Sequence, residues 1–230
     1  MRPSPLLATL LIPATLLTAC STPAADTEPN TTPLTVYATT GYLADAVAAI
    51  APDAEITTMV GPGGDPHTYQ PTTRDVDKLR SADLVFSNGL HLEAQMEAQL
   101  EALGDKHRAV AEQLPAQMLL PWEDTDAAGN PLHDPHVWNS PDAWALVVDD
   151  LAATLAAHDP DHADTYRTNA TNYRAEITAA AERAHETMKN IAQPRILITG
   201  HDAFAYFGQT FDMEVLATDY ISTEAALSPT

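Results

Sequence analysis

The feature that most limits how this chain can fold is an apolar repeat that runs unbroken from Pro160 to Ile191. Ala163, Tyr166, Ala170, Tyr173, Ile177, Ala180, Ala184, Met188 and Ile191 recur at intervals of three or four, the period of one helix face. Asp159 followed by Pro160 is a helix-start signal, Asp161 and Asp164 suit a first turn, Lys189 suits the last, and Pro194 stops the run. At about 1.5 Å per residue such a rod is about 45 Å long, more than one small lobe requires. Its alanine-rich face favours packing on a globular body over a coiled-coil seam, so a lobe is expected at each end.

Before the rod, short apolar runs alternate with helical ones. Leu34–Thr39, Glu55–Val60, Asp83–Ser87 and His107–Ala111 read as strands, and Tyr42–Ala51, Thr73–Ala82 and Glu93–Leu103 as helices. A further helix is expected from Pro141 to about Ala157. After the rod the same grammar restarts, with Arg195–Thr199 as a buried strand, Ala203–Phe211 as helix and Glu214–Thr218 as strand. The expected fold is therefore α/β: two Rossmann-like lobes with parallel sheets, joined by a long rigid helix, the second lobe incomplete. The boundaries that follow are 34–158 for the first lobe, 159–192 for the linking helix and 193–230 for the partial second lobe.

The first 19 residues carry one positive charge, Arg2, followed by an apolar stretch from Leu6 to Leu17 that is short and interrupted by proline, as in an export signal. Leu17-Thr18-Ala19-Cys20 resembles a bacterial lipobox, in which the cysteine is lipidated through its thiol. Cys20 is the only cysteine, so no intramolecular disulfide competes for it. Residues 20–33 are polar and proline-dotted, as expected of a flexible tether. These features place the protein on the extracytoplasmic face of a cell membrane, lipid-anchored. With 11 basic against 32 acidic residues the formal charge is −21, which argues against nucleic acid as a partner.

Nine histidines are present. His107, His158, His162 and His185 fall within expected elements or at helix ends, without a companion ligand, and read as surface residues. Three others lie at or just beyond element ends beside an aspartate: Asp65-Pro66-His67, Asp134-Pro135-His136 and His201-Asp202. Parallel α/β sheets bind ligands beyond the carboxyl ends of their strands, which is where the Gly61–Pro71 loop carrying His67 would lie. A metal-binding imidazole needs its second nitrogen held, and each neighbouring aspartate is a candidate for that role.

The segments GGDPHTYQPTTRDVDKLRSADLVFSNGLHLEAQ, HDPHVWNSPDAW, TGHDAFAYFGQTF and ISTEAALSP, in that order, closely resemble the successive signatures of the cluster 9 (A-I) solute-binding proteins, the zinc and manganese receptors of ABC importers. The resemblance runs from about Leu34 to the last residue. It implies that His67, His136 and His201 bind the metal, that two α/β lobes flank one rigid helix, and that His91 belongs to a turn rather than to the site. His133 is expected near the site mouth. The family's fourth ligand, an acidic residue late in the second lobe, has no match here, although Asp202, Asp219 and Glu224 are nearby carboxylates. Asn139 stands where many relatives carry an acidic or aromatic residue.

Three imidazoles and one oxygen suit Zn2+, with Mn2+ as the alternative. The implied function is that of a non-enzymatic, monomeric receptor that captures the ion and hands it to a membrane permease served by an ATPase subunit. Two rivals stand beside it. A surface zinc-dependent hydrolase would need a general acid or base beside metal-bound water, and no glutamate adjoins any of the three histidines. A metal-buffering or adhesion lipoprotein without a transport role would be told apart by the absence of permease and ATPase genes nearby.

Overall fold

The computed structural model describes residues 32–126 and 128–220. The export signal, Cys20 and nearly all of the tether lie outside these residues, as does Glu224.

Four parallel strands form the first sheet: β1 (Thr35–Ala38), β2 (Glu55–Thr58), β3 (Leu84–Ser87) and β4 (His107–Ala109), in the order β2-β1-β3-β4. Successive side chains of a strand face opposite sides, and β1 and β3 obey this closely. Val36, Ala38, Leu84 and Phe86 join one apolar cluster, and Tyr37 and Val85 the other. Helices cover both faces, as a parallel sheet requires. Against the first face lie α1 (Gly41–Ile50) and α4 (Pro141–His158), through Leu43, Val47 and Ile50 and through Val147, Val148, Leu151 and Leu155. Against the second lie α2 (Thr73–Ser81), through Leu79, and the short α3 (Glu97–Glu101), through Leu100. The helix expected over Glu93–Leu103 is thus broken, a 3-10 turn at Ala94–Met96 preceding α3.

The strand starts are tied together by a carboxylate. Asp83 Oδ2 accepts from the Thr35 amide at 2.9 Å and from its hydroxyl at 2.6 Å, while the Asp83 amide donates to Thr35 Oγ1 at 3.0 Å. These hydrogen bonds from Thr35 hold the Asp83 carboxyl below its usual range. The associated stability is therefore present above the ordinary carboxylate range and is lost as pH falls through the depressed value. Asp83→Ala is expected to cost about 2 kcal/mol by urea unfolding at neutral pH, and the gap to the parent should close in acid.

Two further features differ from the sequence-based expectation. A two-stranded antiparallel hairpin, β5 (Pro121–Thr125) with β6 (Pro131–His133), stands before the Asp134-Pro135-His136 loop. Proline opens both strands and hides them from a pattern search, since proline is confined to strand starts and edges. The rod is α5 (Ala163–Met188), entered through a 3-10 turn at Pro160–His162, so the α-helix proper is about 39 Å long. Asp159 closes that entry by accepting from Tyr166 Oη at 2.6 Å and pairing with His162 Nδ1 at 2.8 Å. Only Ala163, Tyr166 and Ala170 of its apolar face are buried, and Ile191 is 42% exposed.

Beyond the rod, β7 (Ile196–His201) pairs in parallel with β8 (Glu214–Tyr220), and α6 (Ala205–Phe211) connects them. The buried strand expected here is corrected: β7 alternates between exposed and half-buried, with Ile198 67% exposed. Among the described residues, this two-stranded sheet has nothing covering that face. The second lobe is joined to the first by Tyr206, whose hydroxyl accepts from the Leu120 amide at 3.0 Å and donates to the Asp134 carbonyl at 3.2 Å.

Candidate metal centre

His67 and His136 sit between the end of a strand and the start of a helix, and His201 sits at a strand's end. After β2 the chain passes through His67 to Thr72, which caps α2 in a reciprocal box: its hydroxyl accepts from the Asp75 amide, and Asp75 accepts from the Thr72 amide. After β6 it passes through His136 to Ser140, which caps α4 with Pro141 at the first helical position. His201 is the last residue of β7, four before α6 begins. The His67 and His136 loops thus each end on a capped helix start, whereas α6 after His201 has no side-chain cap.

The two Asp-Pro-His tripeptides fold alike. Asp65 Oδ1 accepts from the His67 amide at 3.0 Å, and Asp134 Oδ1 from the His136 amide at 2.9 Å, the turn an aspartate makes with the backbone two residues on. The proline between them has no amide to satisfy and a fixed φ. Both turns hold the imidazole against the body of the protein, and His67 and His136 are each only 2% exposed.

The structure brings the three expected residues together. His67 Nε2 lies 3.2 Å from His136 Nε2, and His201 Nε2 lies 3.3 Å from the same atom. An ion about 2.0–2.1 Å from tetrahedrally arranged nitrogens sets them about 3.3–3.4 Å apart, so these spacings match the edges of such a coordination polyhedron. On its other side His136 Nδ1 meets Asp134 Oδ1 at 2.7 Å, which fixes the tautomer with the proton on Nδ1 and leaves the Nε2 lone pair facing inward. Burial, then the neighbouring His136 ring, brings the His67 pKa down to about 3, and burial lowers that of His201. Both imidazoles are therefore neutral and able to donate lone pairs near neutral pH.

The expected aspartate support is found for one ring of the three. Asp65 reaches only the His67 backbone and the Thr68 hydroxyl, and His201 Nδ1 is buried without a partner. Asp202 is half-buried, and burial, followed by Asp134, raises its carboxyl. His91 is held elsewhere, its Nδ1 2.6 Å from Glu97 Oε1 in a left-handed turn. His133 is exposed on β6. His107 departs from the surface reading: half-buried, its Nε2 is 2.7 Å from Ser87 Oγ.

Three further side chains support the site, of which Trp122 lies outside the signature segments. The buried Trp122 of the hairpin packs on His67 and His136, with ring centroids 5.7 and 5.9 Å away, and Trp138 lies 5.2 Å from His136. Asn139 Nδ2 donates to the Ala203 carbonyl at 2.8 Å, joining the His136 loop to the segment just after His201. A family profile described as zinc-uptake complex component A, periplasmic, matches residues 36–230. The chain belongs to this family. The manganese-binding lipoprotein MntA of Bacillus subtilis is 37% identical over 96% of this chain and 71% of its own length. The metal ABC transporter substrate-binding lipoprotein ScbA of Streptococcus cristatus is 29% identical over all of this chain and 76% of its own. Among solved structures, the periplasmic zinc-binding protein TroA of Treponema pallidum superposes with a TM-score of 0.79 at 32% identity, covering 86% of this chain and 70% of that one. The family's fold and the α/β architecture with its long helix agree.

Proposed function

We propose that this chain is an extracytoplasmic receptor that captures Zn2+, or Mn2+, at His67, His136 and His201 and delivers it to the permease of an ABC importer. The observation that carries the reading is the convergence of three imidazole Nε2 atoms at 3.2 and 3.3 Å around His136, with Asp134 orienting the central ring. An all-nitrogen set favours zinc over manganese, which takes a larger share of oxygen ligands. Water or a carboxylate would fill the remaining position.

The names of the relatives, one manganese-binding, one zinc-binding and one a substrate-binding lipoprotein of a metal ABC transporter, support the same role. Among the described residues no helix is long and apolar enough to cross a membrane. A lipid on Cys20 would supply the attachment, with residues 1–19 as its signal and 20–33 as its tether.

The test is metal analysis and zinc titration of the purified chain beside the His67→Ala, His136→Ala, His201→Ala triple variant. One equivalent bound by the parent and none by a folded triple variant is the expected result. Equal binding by the two would overturn the assignment.

A further inference from the structure

We infer that Glu93 and Asn88, which lie outside the three-histidine cluster, are positioning residues that set the distance between His67 and His136; this rests on the metal-receptor reading above. Both are fully enclosed, Glu93 at 2% and Asn88 at 0% exposure. The Glu93 carboxylate lies beneath the carboxyl ends of β1 and β3. Its Oε1 accepts from Thr39 Oγ1 at 2.6 Å and from the Asn88 amide at 2.8 Å, and its Oε2 from the Gly89 amide at 3.0 Å. Burial pushes this carboxyl up, and the donated hydrogen bonds oppose it.

From this node two branches lead to two ligand loops. Thr39 carries the first: its carbonyl accepts from the Val60 amide at 3.0 Å, where the chain leaves β2 for the His67 loop, and its amide donates to Phe86 at 3.0 Å. Asn88 carries the second, its Nδ2 donating to the Pro135 carbonyl at 2.9 Å, one residue before His136. One buried network thus spans from the root of the His67 loop to the peptide that presents His136. The turn that lets Glu93 fold back beneath the strands needs three consecutive left-handed residues, Gly89, Leu90 and His91 at φ 79°, 53° and 67°. At Gly89 a Cβ would come within 2.9 Å of Ala109 Cβ, so the chain passes there only as glycine.

Bonds that orient a metal ligand from outside its coordination shell typically carry a factor of about 10–100 in affinity. Asn88→Ala removes the link to Pro135 while leaving every ligand and the Asp134–His136 pair in place. The measurement is the zinc dissociation constant of the full chain, with the Co2+ absorption spectrum as a report of coordination geometry. Leu100→Ala, a buried position in the second apolar cluster without a bond to the network, serves as a control of general destabilisation. Parent binding that His136→Ala abolishes establishes the site. On that footing Asn88→Ala should weaken zinc about 10-fold or more and alter the Co2+ bands, while folded Leu100→Ala keeps both. An Asn88→Ala constant within about twofold of the parent, or the same loss in Leu100→Ala, overturns the inference. A parent chain that binds no zinc shows instead that the receptor reading has failed, and the inference with it.

Discussion

Zinc binding by His136→Ala is expected to fall by about a thousandfold or more, the largest loss from any single ligand. His136 is central in the geometry: its Nε2 faces both other Nε2 atoms, and among the described residues its Nδ1 is the only one of the three rings' second nitrogens bonded to a carboxylate. Removing it takes away a donor and leaves the remaining pair without the atom that each of them faces. A thousandfold loss corresponds to about 4 kcal/mol of binding free energy. Asp134→Ala retains all three imidazoles and should lose about 10–100-fold, the ordinary scale for a supporting carboxylate. Isothermal titration of both variants decides the matter. If Asp134→Ala proves as damaging as His136→Ala, the carboxylate does more than orient the ring.

Glu93→Ala is expected to be the most destabilising polar substitution, at about 3–5 kcal/mol by denaturant unfolding of the metal-free chain. Three donors now end on this carboxylate, the Thr39 hydroxyl and the Asn88 and Gly89 amides. The site is enclosed, so water cannot readily replace the lost acceptor, and each donor left unmet costs about 1–3 kcal/mol. Glu93→Gln keeps the size and one acceptor oxygen but turns an amide donor toward one of the existing donors, and should fall between the parent and the alanine variant. An alanine variant as stable as the parent would mean that water enters the space beneath the strands.

The parts of this molecule that follow from local chemistry were readable in the sequence. Alternating runs gave the parallel strands, the Asp159-Pro160 start located the rod to within three residues, and the flanking aspartates drew attention to His67 and His136. The Asp-Pro-His turns are local as well, because the aspartate bonds a backbone amide two residues away. What could not be read was set by tertiary contact. Glu93 looks like an ordinary charged residue opening a helix, and its burial depends on a left-handed turn in which Leu90 and His91 carry no local sign of a positive φ, although the family resemblance does place His91 in a turn. Trp122 lies in a hairpin concealed by proline. The burial assigned to β7 failed because an apolar strand is covered only where another element lies over it, and among the described residues none covers Ile198. For His107 no sequence neighbour signals its bond to Ser87, twenty residues earlier.

The placement of the three imidazoles has a consequence for the mechanics of the chain. His67 and His136 precede the rod, and His201 follows it, so an ion bound to all three acts as a cross-link between segments separated by α5. Of the protein–protein bonds in place without it, Tyr206 to Asp134 and Asn139 to Ala203 are among those that fasten the same two sides. On the proposed assignment, loading would add a fastener to a joint already held by hydrogen bonds, and the free energy of binding would be shared with the joint. Whatever withdraws the ion from such a protein must also loosen that joint, and prying the two sides apart would lower its hold on the ion by the same amount.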